Sequence, residues 1–361
     1  MSLQQVRRRE GERAKARVRR PRQSTAERLA QRLGLRLAQP DELTLRREGR
    51  GKAFRFLRED GRIIGDPATL RRLKSLAVPP AYCDVRYADD SKAHLQAIGR
   101  DTAGRLQYRY HPDWERVREA RKARRLGRLL DALPAIRRSI AQRLARSDPD
   151  RPFALAAVVG LVARSAIRAG SESYARLNGT RGAATLLKSN VSLDRDTIVL
   201  SFRAKGAKQV RKEVEDERLA RAIRRLLDLP GRRLFQYRDE GGTLRAVSSQ
   251  QVNAFLREIA GCGTTLKDFR TLMACTAALD LLARTEPAPS QRARRRQVLD
   301  AMRATAMELA NTPAVCRKSY VHQAIIAAFE EGKLSRLAPE LKASQTKREQ
   351  ALAEVIAVAA E

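Results

Sequence analysis

From Thr44 to about Trp114 apolar and charged positions alternate in short runs, as in KAFRFLREDGRII, where Phe54 and Phe56 are separated by single charges. A period of two is that of a half-buried strand. Glu59-Asp60-Gly61 and Asp101-Thr102-Ala103-Gly104 carry the turn chemistry of hairpins, the second just before Gln107, Tyr108 and Tyr110. Between the hairpins, DPATLRRLKSLAVPP predicts a short helix with Asp66 as N-cap, Pro67 in its first turn and Pro79-Pro80 as its stop. After about Glu115 the period lengthens to that of a helix. VREARKARRLGRLLDALPAIRRSIAQRLA is amphipathic, and PFALAAVVGLVARSAI is apolar nearly all round and so predicts a buried helix. Three alternating runs, TLLKSNVSL, DTIVLSFRAK and QVRKEVED, then predict strands joined by short turns, after which helical patterns resume to the end. No repeat at solenoid periods is visible. The expected fold class is α+β: a small β-rich N-terminal domain over 44–118 and a larger, mostly α-helical domain over 119–361. The larger domain carries a three-stranded antiparallel sheet and a C-terminal helical tail.

Residues 1–43 begin RRREGERAKARVRRPRQS, which buries too little apolar area to offset chain entropy, and are expected to form a disordered basic arm. Such an arm either adds phosphate contacts or keeps the chain soluble. The whole chain has 74 lysines and arginines against 41 acidic residues, a formal charge of +33. Self-repulsion on that scale calls for a polyanionic partner, and nucleic acid is the obvious one. No apolar run approaches the roughly 20 residues of a membrane span, and the arginine-rich start lacks a signal-peptide core, so a cytoplasmic protein with no membrane partner is expected. Four scattered cysteines suggest neither a zinc site nor a disulfide framework. Gly51-Lys52 lacks the earlier glycine and the hydroxyl of a phosphate-binding loop. The D-x-D pairs Asp148/Asp150 and Asp194/Asp196 read as turn formers. Neither ATP nor a metal cofactor is implied.

Several polar residues fall at structural breaks of the larger domain. Arg168 follows the buried helix, where an arginine commonly serves the helix dipole. Lys205 sits at a hairpin tip in FRAKGAK, where it either solvates or reaches a phosphate. Arg270, in LKDFR, precedes the apolar TLMACTAALDLLA and could be a surface charge at a helix start. Asn311 lies between two helices and is a good N-cap. Tyr320 borders the stripe Val321, Ile325 and Phe329, a position for boundary packing or for presenting its hydroxyl. Together these residues suffice for phosphoryl transfer: a tyrosine attacking a phosphodiester needs bidentate arginines, a further donor and a proton source.

In order and spacing the motifs resemble the type IB DNA topoisomerases of the poxvirus and bacterial kind. In the first domain the resemblance rests on Gly51-Lys52-Ala53-Phe54, Asp66-Pro67-Ala68-Thr69-Leu70, Val78-Pro79-Pro80-Ala81 and HLQAIGRDTAGRLQYRYHPDW. In the second it rests on RAGSESYARLNGTRGAATLLKSNV, FRAKGAK, KDFRTLMA and NTPAVCRKSY. It implies relaxation of supercoiled double-stranded DNA by a monomer, through transient single-strand cleavage and a 3′-phosphotyrosine, without ATP, metal or a small-molecule substrate. By the same resemblance Arg168 and Arg270 hold the scissile phosphate, Lys205 protonates the leaving 5′-oxygen and Tyr320 is the nucleophile. Asn311 stands where the poxvirus enzymes have a histidine. Tyr174 resembles a phosphate-contacting tyrosine, and Gln107, Tyr108 and Tyr110 lie where the major groove is expected. The rivals are a tyrosine recombinase, which usually has a histidine where Lys267 stands and an all-helical clamp, and a non-catalytic architectural DNA-binding protein.

Overall fold

The computed structural model describes residues 24–50 and 53–357. It divides into two compact units, residues 1–121 and 122–361, with the boundary inside the long helix Trp114–Leu144. Each unit has its own core.

The first unit is built on a five-stranded antiparallel sheet of β1 (Leu45–Arg50), β2 (Ala53–Leu57), β3 (Cys83–Tyr87), β4 (Leu95–Arg100) and β5 (Leu106–Tyr110). The strand order is β2-β1-β3-β4-β5, which leaves β5 at an edge. Both expected turns form: Gly61 and Gly104 adopt φ of +85° and +72°, the left-handed region that glycine enters without a Cβ clash. The helix Pro67–Ser75 starts where the proline and cap predicted, with the Asp66 carboxylate accepting from the Thr69 N–H at 2.7 Å. Leu45, Phe56, Ile64, Leu73, Val85 and Tyr87 fill the space between helix and sheet. The expectation of a disordered arm over 1–43 is corrected from Ser24 onward, where the chain is ordered and the helix Thr25–Arg32 opens on a capping box between Ser24 and Glu27. Its Ala30 is buried with Leu35, Trp114 and Val117, an apolar face that the basic composition around it concealed. The expectation for residues 1–23 lies outside the described residues.

The second unit is mainly helical and carries the expected antiparallel sheet of β6 (Val191–Asp194), β7 (Thr197–Arg203) and β8 (Gln209–Glu215). A further hairpin, β9 (Gln236–Arg238) with β10 (Leu244–Ala246), interrupts a stretch the pattern assigned to helix. The helix Arg151–Ser165 is buried on nearly all sides, with Asp150 capping the Phe153 N–H at 2.8 Å. Beside it in the core run the helices Leu266–Ala283 and Ser249–Ala260. The C-terminal tail docks: the helices Ala338–Ala343 and Gln345–Ala357 bury Leu341, Leu352 and Ile356 in the same core. Glu349 there pairs with both terminal nitrogens of Arg137.

Candidate active site

Arg270 sits deeper than its place in the sequence suggested. The helix around it begins at Leu266 rather than after it, because Asp268 accepts from the Thr265 N–H at 2.8 Å and closes a capping box there. Arg125 grips the same carboxylate at 2.7 Å. Arg270 therefore falls in the second turn and is 3% exposed, not a surface charge at a helix start. Its guanidinium donates to the Leu309 carbonyl at 2.9 Å, to the Ala166 carbonyl, and through Nε to the Tyr320 hydroxyl at 3.3 Å. Among the described residues it has no carboxylate partner, so its positive charge is not neutralised by protein.

Arg168 is placed by the break after the buried helix. Ala166 ends that helix in the left-handed region, and the next residues are clamped from the side, Ala183 N–H to the Arg168 carbonyl and Ala184 N–H to the Ala169 carbonyl, both at 2.8 Å. A Cβ on Gly182 would stand 2.5 Å from the Gly170 nitrogen, so only glycine permits this approach. The Arg168 guanidinium then donates to the Asn311 amide oxygen. Burial, and after it the Arg270 charge, lowers the Arg168 pKa, which the Tyr320 phenol partly offsets.

Asn311 was a candidate N-cap. The cap is instead Thr312, whose hydroxyl accepts from the Val315 N–H at 3.3 Å, and this releases the asparagine side chain to point at Arg168. Arginine can only donate, so the amide oxygen faces it and the NH₂ faces away. That NH₂ is buried without a partner among the described residues. An unsatisfied buried donor costs about 1–3 kcal/mol and calls for an acceptor.

Tyr320 was expected within one helix bearing the stripe Val321, Ile325 and Phe329. The structure breaks that helix in two. Pro313–Ser319 ends at Tyr320, and Gln323–Glu330 starts anew with the His322 ring capping the Ala324 N–H at 3.1 Å. The break turns Tyr320 into the second unit, 8% exposed, with its carbonyl accepting from the Cys275 thiol at 3.3 Å. Burial acts to raise the pKa of the phenol. The Arg270 charge and hydrogen bond, then Arg168 and Lys267, outweigh it, so the net direction is down.

The structure thus brings together Arg168, Arg270, Asn311 and Tyr320. Lys205 makes no hydrogen bond to any of them among the described residues: at the exposed β7–β8 turn its ammonium lies 5.6 Å from the ring centre of Tyr174, itself 52% exposed on the helix Glu172–Asn178. The same turn is tied to the cluster through Lys208, whose ammonium donates to the Asn311 carbonyl at 3.2 Å. In the first unit Tyr108 and Tyr110 share the outer face of the edge strand, stacked at 6.2 Å and 44% and 41% exposed. Gln107, on the alternate face, donates to Asp101 at 2.9 Å and so buttresses the hairpin turn. Arg105, and after it Gln107 and backbone donors, hold that carboxyl at about 2. Sequence reasoning missed three cations: Lys267, which acts on Tyr320, and Arg181 and Lys212, which share a cleft with Arg168 and Arg270. The lysine at 212 had a signal, since it occupies an inward position of β8 where the alternation calls for an apolar residue.

Residues 112–348 match the family described as "Eukaryotic DNA topoisomerase I, catalytic core", and residues 53–101 match "Bacterial DNA topoisomerase IB, N-terminal domain". The fold and the tyrosine-centred cationic cluster therefore sit in a chain of the DNA topoisomerase class. Among curated relatives, "DNA topoisomerase 1B" of Acanthamoeba polyphaga mimivirus is 29% identical over 76% of this chain and 84% of its own length. "DNA topoisomerase 1B" of vaccinia virus (strain Copenhagen) is 23% identical over 67% of this chain and 75% of its own. The chain belongs to the type IB DNA topoisomerases, isomerases whose substrate is DNA. No described helix is long and apolar enough to cross a membrane.

Proposed function

We propose that this topoisomerase relaxes supercoiled duplex DNA by cutting one strand at a time through a covalent link to Tyr320. The observation that carries the reading is the contact of the Arg270 guanidinium with the Tyr320 hydroxyl, beside Arg168 and an asparagine NH₂ that has no partner among the described residues. The Tyr320 oxygen attacks the phosphorus, the bond from phosphorus to the 5′-oxygen breaks, and a 3′-phosphotyrosine forms. Charge that gathers on the non-bridging oxygens meets Arg168, Arg270 and the Asn311 amide, donors fixed before the reaction begins. Three cationic or polar side chains serving those oxygens make a divalent metal unnecessary to the charge balance. The surrounding positive charge favours the phenolate. Lys205 delivers a proton to the departing 5′-oxygen once the β7–β8 turn carries it from Tyr174 to the phosphate. The freed end swivels, and its hydroxyl then attacks the phosphotyrosine and regenerates Tyr320. Phosphotyrosine retains the energy of the phosphodiester, so no nucleotide is consumed. Tyr108 and Tyr110, exposed on an edge strand, and Tyr174 are suited to contact DNA, whereas Gln107 acts first on the Asp101 turn.

The test is relaxation of supercoiled plasmid in EDTA without ATP, by the full chain and by Tyr320→Phe. The variant is expected to lose relaxation and the covalent protein–DNA adduct while still binding DNA. Relaxation that survives the substitution would falsify the assignment, and a wild type that binds DNA without relaxing it would leave only an architectural role.

A further inference from the structure

Beside the cluster lies a small cleft that four cations line, Arg168, Arg181, Lys212 and Arg270, against one carboxylate among its described lining residues, Glu308. Arg168 and Arg270 have the partners described above. Arg181 and Lys212 differ: among the described residues neither side chain makes a hydrogen bond or a salt bridge. Both are held in place nonetheless. Arg181 is fixed by its own N–H, which donates to the Arg203 carbonyl at 2.7 Å at the end of β7. Lys212 projects from the inward face of β8 between Val210 and Val214, which are 7% and 5% exposed. A methionine or leucine there would continue the alternation without desolvating a charge. Burial, the leading influence, lowers the pKa of the ammonium, and the nearby Glu308 charge opposes this without forming an ion pair. Two positioned, unpaired cations beside a phosphate-binding cluster need an anion to complete them.

We propose that Arg181 and Lys212 form a second anion subsite, which takes a backbone phosphate flanking the one Tyr320 attacks. The proposal rests on reading the neighbouring cluster as the strand-cleaving centre. Since cleavage acts on duplex DNA, the phosphates either side of the attacked one arrive together with it, and a cation pair next to Arg168 and Arg270 meets one of them. The subsite fixes the register of the strand across the nucleophile and adds affinity without reading bases.

The experiment uses the full chain with Tyr320→Phe, so that only binding is measured, alone and combined with Arg181→Gln and Lys212→Met. Removing both cations is expected to weaken binding about tenfold at low salt. It is also expected to make the plot of log Kd against log salt shallower by roughly 0.9 for each phosphate no longer neutralised. On duplexes with one neutral methylphosphonate at successive positions around the cleavage point, one position should weaken binding of the parent but not of the double variant. Lys212→Met alone is expected to keep or raise the melting temperature. An unchanged salt slope and an unchanged methylphosphonate profile overturn the proposal. So does a fall in melting temperature with affinity reduced equally at every position, which marks a structural role. Stoichiometric binding of inorganic phosphate to the free protein, removed by the substitutions while the salt slope stays constant, assigns the cleft to a small anion instead and likewise overturns it. Relaxation that survives Tyr320→Phe would sink the nucleophile assignment but not touch these binding measurements, so the two failures are separable.

Discussion

An arginine only 3% exposed, with no carboxylate bonded to it among the described residues, carries a desolvation cost of several kcal/mol, and Arg270 offsets it with carbonyls and a phenol. That arrangement leaves its positive charge available, which is what a phosphate needs. The same charge governs Tyr320. A phenol that reacts as the phenolate gives a cleavage rate that climbs with pH through its pKa and flattens above it. Lys267 contributes the least of the three cations that lower that pKa. Lys267→Gln is therefore expected to displace the rising limb of single-turnover cleavage towards higher pH, and an unmoved limb would mean that this charge does not reach the phenol. Lys205 poses a different question, because the structure puts it over Tyr174. If it supplies the proton to the 5′-oxygen, Lys205→Ala should cleave slowly, about a hundredfold below wild type for loss of a general acid. DNA with sulfur at that bridging position should restore the rate, since a thiolate leaves unprotonated. Slow cleavage of both substrates would assign Lys205 to another task.

Among the elements, the break between Pro313–Ser319 and Gln323–Glu330 matters most, because a continuous helix would not end at Tyr320, the proposed nucleophile. Thr312 starts the first of the two, and its loss should cost about 1 kcal/mol. Thr312→Ala is predicted to lower the plasmid relaxation rate more than DNA affinity, since it loosens the segment from Asn311 to Tyr320 and leaves most of the basic surface intact. Equal losses in both measurements would show that the cap serves general stability only. Much at this scale was legible in the sequence. The Asp66 cap, the Asp101–Gly104 turn and the three strands β6–β8 all depend on residues close along the chain. The helix start at Leu266 was missed by five residues because Asp268, which looks like one more surface acid, is drawn into the cap and held by Arg125. The hairpin of β9 and β10 was missed because its strands are three residues each, too short for a period to show.

For the molecule as a whole, a charge of +33 makes DNA affinity steeply dependent on salt. It also leaves folding to a core that must withstand self-repulsion. The C-terminal helices belong to that core. Leu352→Ala, at a fully buried position, is predicted to destabilise the second unit by about 2–5 kcal/mol in urea denaturation. A loss near zero would mean that the last helix is dispensable to the fold.

By itself the sequence determined the class of each unit, the local caps and turns and the polyanionic character of the partner, and it nominated a set of residues for phosphoryl transfer. These follow from periodicity, composition and the ordered motifs. Only the tertiary structure decided that Arg270 is buried against Tyr320, that Asn311 faces Arg168 rather than capping a helix, and that Lys212 and Arg181 share one cleft without a bonded partner among the described residues. The reason is that burial and partnership belong to residues far apart along the chain, 50 positions for Arg270 and Tyr320 and 143 for Arg168 and Asn311. Such pairs have no signature in any local window, and a charged residue looks the same in sequence whether it ends in solvent or beside the Tyr320 phenol.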